Sequence, residues 1–595
     1  MKYRLLSVTL MGGAMLAAQS PAPTPESRLL GWMDRIAQEQ LDRRAAEIAK
    51  VRTPEQADAR KQYVRAKILE LLGGLPDYSG PLNANVTGRI DKGKYVIENV
   101  VFESLPKVWV TANLYRPAQA GRYPAVLLPL GHWDQGKPAV QLIAANLALK
   151  GFVVLVYDPI GQGERLQAYD QRTGKSLAGG STDQHFLPGA QSILAGESFA
   201  RYRIWDAKRA LDYLVSRSEV DSERIGCTGC SGGGTLTTYV SALDPRIKVA
   251  APACYMNSFR ILFPGPVGDS EQSLPNFLSS GLDQTDYVEL FAPKPWLIAN
   301  TVDDFFPLEG ARQVYQEAKR WYSVYGAEER IAWVIGPGGH GTPLPVREAI
   351  YGWMIRWLKD GRGDAREEEV EFLSDHELLA TKTGQVSTGL GSRDIYEAIR
   401  DGAKSRMQSF SAGELLNTLR NWMRPVAETP LNVKVVAETL TADITTQTVI
   451  FETERGLEIG GALIIPRGAV RRPGVVVVET GPPPSPLALQ LARKGAVVLA
   501  LSPRGLPWNV SIRQLPGDWL AATRAWLIGK NMPGLRAYDI KRGVDLLAAR
   551  ADVDPASIRA VARDAAGVWL LMAAATDARI GGVWLDRTPH SLRAV

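Results

Sequence analysis

The chain has 595 residues, 45% of them hydrophobic and 22% charged, too long for one ordinary core at roughly 150 residues per domain and too apolar for a disordered polymer. Its net charge of +6 is spread along the sequence, with no basic stripe interleaved with aromatics, which argues against a nucleic-acid partner. No internal stretch reaches the ~20 uninterrupted apolar residues of a membrane span, so no membrane partner is expected either.

Residues 1–20 place Lys2 and Arg4 ahead of an apolar run from Leu5 to Ala18, and small residues and prolines follow. That pattern predicts a signal peptide and a secreted or periplasmic protein. Residues 21–80 read as helical, with Leu29, Leu30, Trp32, Met33 and Ile36 at helical spacing. From 81 to 362 short apolar runs alternate with helical patterns. Lys94–Phe102 and Val108–Tyr115 come first, then Ala125–Leu130, Phe152–Tyr157, Arg224–Thr228, Ile247–Ala253, Trp296–Ala299 and Ile331–Ile335. Continuous apolar strands between helices predict an α/β fold with a doubly wound, mostly parallel sheet. Residues 363–430 break the rhythm and read as a charged, helical linker, with Glu367, Glu368 and Glu369 solvated.

The pattern then restarts over residues 431–595. Trp205-Asp-Ala-Lys-Arg209 reappears as Tyr538-Asp-Ile-Lys-Arg542, an offset of 333, and Ile225–Ile247 runs without a gap against Ile558–Ile580 at the same offset. Leu147–Gly151 likewise matches Leu491–Gly495, and Val101–Glu103 matches Ile450–Glu452. A long period of this kind predicts two copies of one α/β unit rather than a solenoid.

Chemistry concentrates in the first copy. Gly229-Cys230-Ser231-Gly232-Gly233 is G-x-S-x-G between a predicted strand and a predicted helix, a turn that pushes a serine hydroxyl out over the sheet edge. Serine needs a base, and of five histidines His340 stands in Gly338-Gly-His-Gly341, after a late strand and before a helix. The acid belongs after the strand at 296–299, where Asp303 and Asp304 compete. Asp303, four residues before Pro307, is the favoured choice. Gly232 at the helix start, with His132 or Trp133 in the loop Gly131–Lys137, supplies candidate oxyanion amides. Trp133, Tyr255, Phe305 and His185 are candidates to line the substrate cleft.

Other groups read as structural. The five histidines show no ligand spacing, so no metal and no cofactor are expected, and His132 is not taken as a ligand. The three cysteines Cys227, Cys230 and Cys254 exclude a disulfide framework, Cys227 and Cys230 read as small buried residues, and Asp158, Glu164 and Arg165 as parts of a turn.

These segments together resemble the acetylxylan-esterase-like and dienelactone-hydrolase-like α/β-hydrolases over roughly residues 95–360. The likeness rests on Gly131–Lys137, Tyr157–Arg165, Trp205–Leu214, Gly229–Gly234 and Gly338–Gly341. It implies a cofactor-independent Ser-His-Asp mechanism and a carbohydrate ester substrate, such as acetylated xylan. Dienelactone hydrolases carry cysteine where Ser231 stands, and glucuronoyl esterases carry arginine where Gly232 stands; both substrates fit less well. In the second copy Asp564 replaces the serine, and the strands that would carry acid and base are missing. Residues 431–595 are therefore expected to be a degenerate unit packed on the first, as a scaffold, an interaction surface or a cleft wall. A prolyl-oligopeptidase-type peptidase, a glucuronoyl or pectin methyl esterase, and a non-catalytic binding protein stand as alternatives.

Overall fold

A computed structural model of the chain describes residues 24–265, 269–406, 410–468, 470–507 and 518–589; the expected signal peptide and His590 lie outside them. Two long helices lead. Pro25–Ile48 is capped by the Thr24 side chain, and Pro54–Leu71 opens with a reciprocal Thr53–Gln56 capping box. Both begin with proline, whose missing N–H is no loss in a first turn. The stripe Leu29, Trp32, Met33, Ile36, Ala37 and Leu41 is buried. No helix among the described residues is long and apolar enough to cross a membrane.

The first unit is built on nine strands: β1 Asn85–Asp91, β2 Tyr95–Leu105, β3 Val108–Pro117, β4 Tyr123–Leu128, β5 Val153–Tyr157, β6 Val220–Cys230, β7 Ile247–Ala253, β8 Trp296–Thr301 and β9 Ile331–Gly336. They lie in the order β1-β2-β3-β5-β4-β6-β7-β8-β9. The first three and the β3–β5 pair are antiparallel; β5 through β9 run parallel. Buried β5, with the sequence Val-Val-Leu-Val-Tyr, is apolar on both faces because helices cover both sides. This is the α/β-hydrolase layout expected from the alternating pattern. Within this sheet β1, a mostly exposed edge without an apolar run, was not expected, and neither was a two-residue ribbon pairing Tyr169–Asp170 with Lys175–Ser176.

The second unit holds β10 Lys434–Leu440, β11 Ile444–Glu454, β12 Leu457–Pro466, β13 Arg472–Val478, β14 Val497–Ser502, β15 Val553–Arg563 and β16 Ile580–Asp586. Their order, β10-β11-β12-β14-β13-β15-β16, follows that of the first sheet strand for strand through seven positions. Among the described residues nothing corresponds to β8 and β9. A buried ion pair recurs too: Arg165 meets Asp206 at 2.8 Å in the first unit, and Arg504 meets Asp539 at 2.6 Å in the second.

The two units share a core. Ala521, Ala525, Leu527, Ile528, Met532 and Leu535 pack with Leu29, Trp32, Phe259, Phe263 and Phe277. Polar contacts fix the register of this seam: the Asn276 amide donates to the Trp526 carbonyl at 2.6 Å, and Gln40 Nε2 to the Ile528 carbonyl at 3.0 Å. Trp519 meets Phe186 edge-on at 5.2 Å.

The linker departs from expectation. Residues 363–385 form no helix; they lie as a strap along the first unit, and helices appear only at Val386–Gly389, Ile395–Arg406 and Ala412–Trp422. The strap is held by backbone groups that its sequence does not advertise. Asn99 Nδ2 donates to the Glu377 and Leu379 carbonyls, and the Glu164 carboxylate accepts the Ala380 and Thr381 amides. Glu367, expected in solvent, is half-buried against Arg347 and Tyr351.

Candidate active site

At the end of β6 the chain turns into the helix Gly232–Leu243 through Ser231, whose φ of 61° and ψ of −124° place it in sparsely populated backbone space. Its amide donates to the Ala253 carbonyl at 3.0 Å, which pins the turn to the end of β7. Glycine is obligatory on both sides. A Cβ on Gly229 would lie 2.4 Å from the Pro129 carbonyl oxygen, and one on Gly233 would lie 2.3 Å from it. Strain accepted at one residue and supported by its neighbours is the mark of a nucleophile elbow.

Because β6 to β9 run parallel and adjacent, the segments leaving their C-terminal ends meet along one edge of the sheet. Ser231 follows β6, Cys254 follows β7, Asp304 follows β8 and His340 follows β9. His340 Nδ1 lies 2.8 Å from Asp304 Oδ1. A carboxylate only accepts, so Nδ1 carries the proton and Nε2 is left as the basic nitrogen. Burial alone would raise the Asp304 pKa. The His340 hydrogen bond and the Phe306 amide, 2.9 Å from Oδ1, outweigh it and hold the carboxyl below its ordinary range. Phe305, 69% exposed, stacks on the imidazole at 4.1 Å.

The acid facing His340 is therefore Asp304, where Asp303 was expected. Past β8 the chain turns at Val302 and Asp303, whose amides donate to the Gly336 and Gly338 carbonyls and tie the turn to the segment leaving β9. Asp303 is sent into solvent, and Asp304 turns inward. Counting back from Pro307 ignores this turn.

Cys254, also at positive φ, joins the edge: its Sγ contacts the Gly341 carbonyl oxygen at 2.9 Å, beside His340. It groups with Asp304 and His340 and touches Cys230, whose thiol is pushed well up by that contact and by burial. The three cysteines are free and buried, Cys227 and Cys230 as expected, and burial pushes the Cys227 thiol up to about 12. The position of Cys254 had no signal in the sequence.

The loop after β4 runs directly against the elbow. A Cβ on Gly131 would fall 3.2 Å from Ser231 Cβ. The Trp133 amide is committed to the Gly131 carbonyl at 3.0 Å, which leaves the His132 amide as the better-placed donor of the two. The His132 ring covers the helix start: a Cβ on Gly232 would lie 2.7 Å from it. Trp133 is half-buried beside Gly131. Tyr255 and His185 do not fit a lining role, since their relative exposures are 1% and 0%. Tyr255 belongs to the core against Phe306, and His185 faces His132. Asp158, Glu164 and Arg165 are buried around Lys137 and Asp206, consistent with a structural turn.

The second unit keeps the same turn without its chemistry. Asp564, 333 residues after Ser231, has φ 51°, and its amide donates to the Asp586 carbonyl at 2.9 Å, the counterpart of Ala253. Arg587 stands at the counterpart of Cys254 and contacts the Asp564 carboxylate at 3.0 Å. An ion pair occupies the place of the hydroxyl.

Residues 90–271 match the family model described as acetyl xylan esterase (AXE1). Among curated proteins, YtaP of Bacillus subtilis is 26% identical over 319 residues, covering 51% of this chain and 99% of that protein. YcjY of Escherichia coli is 27% identical over 155 residues, covering 26% of this chain and 42% of that protein. Among solved structures, Methylesterase BT1017 superposes with a TM-score of 0.50 at 20% identity, covering 65% of this chain and 80% of that one. The first unit of this chain thus has the α/β-hydrolase fold and resembles the acetyl xylan esterase family over residues 90–271.

Proposed function

We propose that the protein is a serine carboxyl-ester hydrolase acting on esters carried by carbohydrate, with acetyl groups on a xylan-type polysaccharide as the leading substrate. The family match supports a carbohydrate ester, and the site geometry supports the mechanism. The observation that carries the reading is the strained Ser231 elbow on the sheet edge that also presents the His340–Asp304 pair.

In the first step His340 Nε2 takes the Ser231 proton as Oγ attacks the ester carbonyl. Asp304 holds the ring and favours the imidazolium that forms. The Gly232 and His132 amides would stabilise the oxyanion. As the C–O bond breaks, the His340 imidazolium protonates the departing sugar oxygen to a hydroxyl, which leaves an acyl-serine. A water molecule, deprotonated by the same nitrogen, releases the acid. No cofactor is required.

The His132 ring over Gly232 bears on specificity. An arginine at position 232 would bring its Cβ to 2.7 Å from the imidazole, which disfavours here the arginine that glucuronoyl esterases carry at that position. The residue 1–20 pattern supports a secreted or periplasmic setting, which suits a polysaccharide substrate. The matching strand order and the Ser231–Asp564 and Asp206–Asp539 correspondences support a duplication whose second copy serves as a scaffold for the first.

The test compares wild type with Ser231→Ala on p-nitrophenyl acetate, acetylated xylan and a peptide amide. The variant should lose ester hydrolysis by ~10³-fold or more while keeping its fold. Full retention of acetate release in the variant would remove Ser231 from the reaction. Cleavage of the amide alone would replace the esterase reading with a peptidase, and wild-type inactivity on all three would favour a binding protein.

A further inference from the structure

The oxyanion loop carries a side chain that ester hydrolysis does not use. His132 Nε2 lies 3.1 Å from His185 Nδ1, 2.9 Å from Glu271 Oε1 and 3.1 Å from Asp269 Oδ2. His185 Nδ1 is in turn 3.3 Å from Glu271 Oε1. The four atoms come from three places: the loop after β4, the helix Asp183–Leu194 and the short 3₁₀ turn at Ser270–Gln272 with the residue before it. The partners of His132 stand 53 to 139 residues further along the chain, which is why no ligand spacing was visible in the sequence.

Hydrogen-bond partners fix which ring nitrogen of His185 faces the cluster. His185 Nε2 sits 2.8 Å from the Ile160 carbonyl, which can only accept, so Nε2 carries a ring hydrogen. Nδ1 of this fully buried ring is thereby turned to His132 Nε2 and Glu271 Oε1. Arg203 also donates to Glu271 Oε1 and fixes that carboxylate.

Bonds of ~2.0–2.1 Å in a tetrahedral site put ligand atoms about 3.3 Å apart, close to the four separations found here. Two imidazoles with two carboxylates form a borderline donor set, suited to zinc and its first-row neighbours rather than to calcium or magnesium. Three of the four ligands are buried, and two are oriented by further contacts, His185 by Ile160 and Glu271 by Arg203, while Ser270 Oγ on the His185 carbonyl at 2.7 Å holds the 3₁₀ turn to the helix.

We propose that His132, His185, Asp269 and Glu271 bind one divalent transition-metal ion of the zinc type. The ion would clamp the helix Asp183–Leu194 and the 3₁₀ turn to the oxyanion loop and fix the His132 ring over Gly232. The proposal does not depend on the identity of the ester.

The full-length protein, stripped with a chelator, is titrated with zinc, cobalt and manganese by calorimetry, and the cobalt form is read by its visible absorption. One equivalent of zinc should bind, cobalt should give the intense bands of a tetrahedral ion, and the metal should raise the unfolding temperature. His132→Ala and Glu271→Gln should each weaken zinc binding by about a hundredfold or more. His340→Ala, which alters the other His-containing cluster, should keep one equivalent. Failure of all three metals to bind stoichiometrically overturns the proposal, as does loss of binding in His340→Ala or full retention in His132→Ala. The wild-type titration and the His132 variant decide the matter even if Glu271→Gln does not fold.

Discussion

Adjacent carboxylates with one backbone between them can differ completely in role, and Asp303 and Asp304 show how. The turn after β8 exposes the first and buries the side chain of the second against His340. Asp304→Asn should therefore lower kcat on p-nitrophenyl acetate by ~10³–10⁴-fold through the wrong imidazole tautomer, while Asp303→Asn stays close to wild type. A reversed result would return the role to Asp303. Gly232→Ala probes the same site from the other side. The added methyl falls on the His132 ring, so kcat should drop with little change in the folded secondary structure, as read by circular dichroism alongside the kinetics.

Elements fix what residues can do. The edge where the leads from β6, β7, β8 and β9 meet exists because those strands are parallel neighbours, and the second sheet repeats the frame only as far as β16. Its elbow geometry survives at Asp564 although the hydroxyl does not, because the turn is set by the strand-to-helix connection and not by the nucleophile. The Asp564–Arg587 pair is exposed, so Asp564→Ala should leave both esterase activity and the urea midpoint unchanged. A large loss of activity would show that the second elbow contributes to the reaction.

At the scale of the molecule, the seam between the units is core rather than linker. Leu527 is fully buried among residues of the N-terminal helices and the first unit. Leu527→Ala should cost ~2–5 kcal/mol, measured by urea denaturation, and the loss should be felt by both units. Acid should loosen the first unit at a particular carboxylate. Asp244 is buried, which by itself would raise its pKa, yet Arg246 at 2.7 Å and Lys208 at 3.1 Å bring it down to about 2. A depressed carboxyl stabilises the fold above its unfolded pKa, and that stabilisation is lost as pH falls towards the folded value. About 2 kcal/mol should disappear between roughly pH 4 and pH 2. In Asp244→Asn the acid limb of the stability curve should be flatter over that window.

The sequence by itself determined the α/β-hydrolase class, the repeat at offset 333, and Ser231 and His340 as candidate nucleophile and base. Each of these is local: an apolar run, a glycine-flanked turn and a loop after a strand are written in a few consecutive residues. Tertiary structure decided the rest. It chose Asp304 over Asp303 through the turn that follows β8, put Cys254 beside the histidine loop, and laid the strap 363–385 along the sheet through its own carbonyls and amides. It also gathered His132, His185, Asp269 and Glu271 from distant segments into one cluster. Contacts between residues far apart in the chain leave no spacing to read, because only the packed sheet and its connecting loops define the distance between them.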